Sequence, residues 1–140
     1  MNPKAAKASD PARETLLGHG ITPTAQRVRV AQLLFACDRH LTADQVIAAL
    51  RASGSRVSKA TVYNTLNLFA RKGLLRALNF DPERCSFDSN TRPHYHLHDV
   101  ETGELMDVPP DDVVFSRTPA LPPGMENLGV DVVFRVRRQA

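Results

Sequence analysis

Three of the five histidines in this 140-residue chain stand at alternate positions, His94, His96 and His98. Two carboxylates, Asp88 and Asp107, bound the segment that holds them. Side chains of an extended segment alternate between faces, so the three imidazoles should point the same way. Imidazoles converging with carboxylates suit a borderline divalent metal such as iron, manganese or zinc. A His-x-His pair also occurs in catalytic metal sites, which makes a small metallohydrolase the competing class. An enzyme would need a general base and a substrate pocket. The chain shows no Gly-rich loop, no nucleophile elbow and no separate base beside the histidines, so a binding protein rather than an enzyme is expected. A third reading is a metal-free interaction module.

The two cysteines, Cys37 and Cys85, form no C-x-x-C pair, so a structural zinc held by four thiolates is not expected. They read as ordinary reduced thiols. No apolar run approaches bilayer length, and the start M-N-P-K-A-A-K-A-S-D-P lacks the apolar centre of a signal peptide. A cytoplasmic protein with a short N-terminal arm and no membrane partner is expected. The net charge of +3 hides an asymmetry. Residues 1–80 carry 12 Lys/Arg against 4 Asp/Glu, a balance of +8, and residues 81–140 carry 6 against 11, a balance of −5. A basic half joined to an acidic half suggests that the first meets a polyanion and the second does something else.

The elements that must position these residues follow from caps and periodicity. Asp10-Pro11 opens a helix to about Leu17, which Gly18 and Gly20 break. Thr24 can cap a second helix to about Cys37, and Thr42-x-x-Gln45 is a capping box for a third. Ser58 caps a fourth, Lys59 to Lys72, stopped by Gly73. In that helix Val62, Leu66 and Phe69 should face a core, leaving Tyr63, Asn64, Asn67 and Arg71 as a polar stripe suited to phosphate and base-edge contacts. Arg27, Arg56 and Lys59 join this stripe as candidate nucleic-acid contacts. Strands at about 74–80 and 85–88 then make a hairpin around Asp81 to Arg84. Helices followed by a two-stranded hairpin are the layout of a winged helix-turn-helix.

The second half reads as strands at about 95–100 and 105–108, a short helix at about 111–117, a Pro-rich link at 119–123 and a last strand from Val130 to Val136. Fifty such residues bury little alone, so dimerisation through this half is reasonable. The fold class expected is α+β. A winged-helix domain with its arm and hinge would occupy 1–89, and a small α/β dimerisation and metal-sensing domain 90–140.

The stretches T-P-T-A-Q-R at 22–27, H-L-T-A-D-Q-V at 40–46, V-S-K-A-T-V-Y-N-T-L at 57–66, G-L-L at 73–75, F-D at 87–88 and H-Y-H at 94–96 resemble the Fur family of metal-responsive repressors. The resemblance covers nearly the whole chain. It implies a homodimer that binds palindromic promoter DNA, with one regulatory divalent metal per subunit, Fe(II) or Mn(II), with zinc as an in vitro substitute. The implied ligands are His40, Asp88, His94, His96 and Asp107, with His98 as an additional metal or haem ligand. Two aspartates in this set are similar to the peroxide-sensing branch, in which a ligand histidine is oxidised. Asp99 and Thr102 stand where a family C-x-x-C pair would fall, and the dimerisation helix looks shortened and Pro-rich. Those departures are similar to the branch that responds to iron or haem status.

Overall fold

A computed structural model describes residues 10–36, 40–81 and 84–140. The expected N-terminal arm, Cys37, Pro82 and Glu83 lie outside the described residues. The chain divides into two compact units, one ending at Thr91 and one starting at Arg92.

The first unit is built from four capped helices and a small sheet. Helix α1 (Pro11–Gly18) starts at Asp10, whose carboxylate accepts from the Ala12 and Arg13 amides. Helix α2 (Ala25–Ala36) has Thr24 Oγ1 accepting from the Arg27 amide at 3.3 Å. Strand β1 (Leu41–Thr42) runs directly into α3 (Ala43–Ala52). The Gln45 amide donates to Thr42 Oγ1 at 3.1 Å while the Thr42 amide donates to Gln45 Oε1 at 2.9 Å, so the capping box is complete. Helix α4 (Lys59–Arg71) starts under Ser58, which accepts from the Thr61 amide at 3.1 Å. Gly73, at φ 78°, turns the chain after it, in a backbone region that other residues enter at a cost.

The apolar stripes of these helices meet in one core. Leu16, Val30, Leu34, Val46, Leu66 and Phe69 are among its members. Leu74 and Leu75 also enter this core, and the hairpin therefore begins two residues later than the sequence suggests, with β2 at Arg76–Asp81 and β3 at Arg84–Asp88. The sheet order is β1-β3-β2, antiparallel throughout. This is the winged helix-turn-helix layout: packed helices, then a hairpin.

The second unit is a three-stranded sheet of order β5-β4-β6, formed by β4 (Tyr95–Asp99), β5 (Leu105–Val108) and β6 (Val133–Val136). Strands β4 and β5 are antiparallel, joined by a turn in which Asp99 Oδ1 accepts from the Glu101 and Thr102 amides at 2.9 and 3.1 Å. These donors favour the charged carboxylate, first through Thr102, and hold the Asp99 carboxyl below its ordinary range. Strand β6 lies parallel to β4 on its other side.

Two expectations need correction here. The helix expected at 111–117 is a single 3-10 turn, Pro110–Asp112. Val113 is already extended, the run before it carries no side-chain cap, and Pro119, Pro122 and Pro123 prevent continuation. The last strand begins at Val133 rather than Val130, although the Val132 carbonyl already accepts from the His96 amide.

Candidate metal centre and nucleic-acid interface

In the first unit the β1–β3 register pairs Leu41 with Phe87. Continued by one residue, the same antiparallel register sets His40 opposite Asp88. Their side chains meet there, with His40 Nε2 3.1 Å from Asp88 Oδ2, both nearly buried. The other oxygen, Asp88 Oδ1, accepts from the Asn90 amide at 2.9 Å. That bond fixes the carboxylate and leaves Oδ2 directed at the imidazole.

In the second unit the β4–β5 register pairs His96 with Asp107. Alternation along the strand brings His94 to the same face. Asp107 Oδ1 lies 3.6 Å from His94 Nε2 and 3.8 Å from His96 Nε2. The two rings meet edge to face, with centroids 4.6 Å apart. Both imidazoles are buried, whereas Asp107 is half exposed.

His94 Nδ1 lies 2.7 Å from the Arg92 carbonyl. A carbonyl only accepts, so Nδ1 is the donor in this bond, which selects the tautomer whose neutral form carries its lone pair at Nε2. This is the outer-shell arrangement that orients a ligating histidine. Two atoms that each lie about 2.1 Å from one ion stand roughly 3 to 4 Å apart. The spacings within each group fall in that range, and the nitrogen and oxygen donors are those that iron, manganese and zinc accept. One ligand atom from each of His94, His96 and Asp107 lies within 4.8 Å of the others.

His98 does not join this group. It is buried on the same sheet face, but its register partners are Leu105 and Arg135. Each two-residue step along a strand advances about 6.6 Å, which carries His98 away from Asp107.

The nucleic-acid candidates lie mainly on α4. Val62, Leu66 and Phe69 are fully buried, and Tyr63, Asn64, Asn67 and Arg71 are exposed on the other side. Lys59 and Arg56 are exposed near the helix start. Arg27 is half buried on α2 and donates through Nη1 to the Thr22 carbonyl at 3.0 Å. Between α2 and α4 a cleft of about 480 Å³ is lined by Thr24, Gln26, Arg27, Thr61 and Asn64 among others. Gln26 and Thr61 are contributors that the periodicity of α4 alone does not single out. No sequence signal marks the Arg92 carbonyl, because every residue carries one.

The family model described as "Ferric uptake regulator family" matches residues 18–119. The chain belongs to the ferric uptake regulator family. The peroxide-responsive repressor PerR of Staphylococcus aureus strain Mu50 is 34% identical over 88 residues, which cover 63% of this chain and 60% of the relative. The PerR of Staphylococcus saprophyticus is 32% identical over 93 residues, 66% of this chain and 63% of its own length. The match thus spans about three fifths of the curated relatives' length. Among solved structures, the ferric uptake regulator of Pseudomonas aeruginosa with manganese superposes with a TM-score of 0.74 at 29% identity, over 93% of this chain and 99% of that one. The Vibrio cholerae ferric uptake regulator shares the fold with a TM-score of 0.69 at 20% identity, covering 90% of this chain and 98% of its own.

Proposed function

We propose that this chain is a DNA-binding transcriptional regulator that reads divalent metal and acts as a homodimer. The observation that supports the reading is that Asp107 lies 3.6 and 3.8 Å from His94 and His96, with a second His/Asp pair, His40 and Asp88, on the other side of the Thr91/Arg92 boundary. In this proposal one ion takes ligands from both sets. Binding would then favour one orientation of the DNA-reading unit over others, and a ligand shifts an equilibrium only by such differential affinity. The ion supplies a positive centre that draws carboxylates and neutral imidazoles together. The chain's own contribution is to hold His94 in the ligating tautomer and to fix Asp88 through the Asn90 amide. Iron or manganese is the proposed occupant; the Pseudomonas relative was solved with manganese.

In the N-terminal unit, α4 is the proposed recognition helix. Tyr63, Asn64 and Asn67 would reach base edges, Arg27, Arg56 and Arg71 the phosphates, and Lys59 would sit at the same surface beside Tyr63. Dimerisation is proposed through the C-terminal unit. Among the described residues there, Val108 is the only large apolar side chain that is buried, whereas Val100, Met106, Val114, Phe115, Leu121, Met125, Leu128, Val130 and Phe134 are exposed. A monomer would leave that surface in water. Two-fold symmetry then calls for a palindromic site.

The test is metal stoichiometry. Protein dialysed against Mn(II) should retain one ion per chain by elemental analysis, and His94→Ala with His96→Ala should retain none. Wild-type metal content in that variant would overturn the assignment. A second reading, in which peroxide is the signal, is favoured by the relatives that are peroxide-responsive repressors. It is marked by addition of oxygen mass to a peptide containing His40 or His94. Haem, the other iron-bearing signal, would leave a Soret band that the double variant abolishes.

A further inference from the structure

Lys59 is the first residue of α4, and its Nζ lies 3.6 Å from Asp44 Oδ1 on α3. The same Nζ lies 5.9 Å from the centre of the Tyr63 ring. Both partners of the ion pair are open to solvent, at 64% and 74% exposure. Asp44 borders a groove of about 330 Å³ that is also lined by Thr42, Gln45, Tyr63, Arg84 and Cys85. One side of that groove is the start of α3, one is the recognition helix, and one is strand β3 of the wing.

We propose that Asp44 is a specificity-determining residue of the nucleic-acid interface. The proposal rests on the DNA-binding reading above. Asp44 competes with phosphate for Lys59. Non-specific binding is driven by phosphate neutralisation, so an engaged cation contributes less to it. In a specific complex the Asp44–Lys59 pair stays made and keeps the ammonium over the Tyr63 ring, where it restrains a base-reading side chain. The carboxylate therefore lowers affinity for irrelevant sequence and leaves affinity for the operator intact.

The test compares two duplexes of equal length, the protein's own upstream region and a scrambled one, in titrations across a salt series. Asp44→Asn should raise affinity for the scrambled duplex about two- to fivefold, the range that follows from losing an exposed ion pair. Its slope of log K against log salt should steepen by about 0.9, one additional phosphate contact. Affinity for the upstream duplex should stay level or fall, so the specificity ratio drops. In a Lys59→Gln background, Asp44→Asn should leave the slope unchanged. Glu14→Gln, which removes an acid on α1, controls for bulk charge and should leave the ratio unchanged. An unchanged ratio in Asp44→Asn overturns the proposal, as does the same change in the Lys59→Gln background or in Glu14→Gln. A wild-type protein with no preference between the duplexes overturns both this proposal and the DNA-binding reading.

Discussion

Leu128 is 90% exposed, in a stretch that carries no regular structure between the 3-10 turn and β6. If the homodimer forms through the C-terminal unit, this side chain is among those with most to gain. Truncation to Ala removes three carbons, worth about 2 kcal/mol when buried, at about 0.8 kcal/mol per methylene. A two-fold dimer contains the site twice. Full burial of both copies thus implies about 4 kcal/mol, and half burial about 2 kcal/mol. At 1.4 kcal/mol per decade, Leu128→Ala should weaken the dimer by roughly thirtyfold to a thousandfold. Sedimentation equilibrium over a concentration series, with chelator present, measures this directly. Leu17→Ala is the control: Leu17 is 57% exposed, but it lies on α1 of the other unit. A dimer constant unchanged within twofold in Leu128→Ala, or shifted equally by Leu17→Ala, would rule out burial of Leu128 in a C-terminal dimer interface.

On α4, Tyr63→Ala and Asn64→Ala should lower affinity for the specific duplex more than for a scrambled one, whereas Arg71→Ala should weaken both and flatten the salt slope by about 0.9; wild-type binding by the first two would contradict the recognition-helix assignment. Ser55 Oγ is buried and makes no hydrogen bond among the described residues, so Ser55→Ala should be neutral or stabilise by up to about 1 kcal/mol in urea unfolding. A loss above that amount would show that the hydroxyl has a role the burial pattern hides. Cys85 is exposed, but partial burial raises its thiol above the ordinary range, so at pH 8 its thiolate fraction is reduced and alkylation by iodoacetamide should run slower than for a free thiol such as glutathione. Faster alkylation would contradict the effect of burial.

The helices of the first unit were legible because their signals are local. Asp10-Pro11, the Thr42/Gln45 box and Ser58 each cap within a few residues, and the spacing of Val62, Leu66 and Phe69 fixes which face is buried. The strand alternation around His94 and His96 was legible for the same reason. Features that depend on distant partners were not. Leu74 and Leu75 read as strand by composition, and core packing takes them instead. The short helix expected at 111–117 fails because Val114 and Phe115 gain too little burial there, Phe115 meeting the Tyr95 ring edge to face while both stay exposed, and because prolines follow. His98 has the same alternation as its neighbours, and only the register of β5 shows that Asp107 stands opposite His96 instead. Asp44 gives no sign of meeting Lys59, because 15 positions and a turn separate them in the chain.

In the proposed function, metal at the histidine set alters how the α4 surface binds DNA. The most direct measurement is fluorescence anisotropy of the chain's own upstream duplex at fixed salt, with and without Mn(II), for wild type and for His96→Ala. Mn(II) should change the wild-type affinity and leave that of His96→Ala unchanged. Wild-type affinity indifferent to metal, or an equal response in His96→Ala, would contradict it.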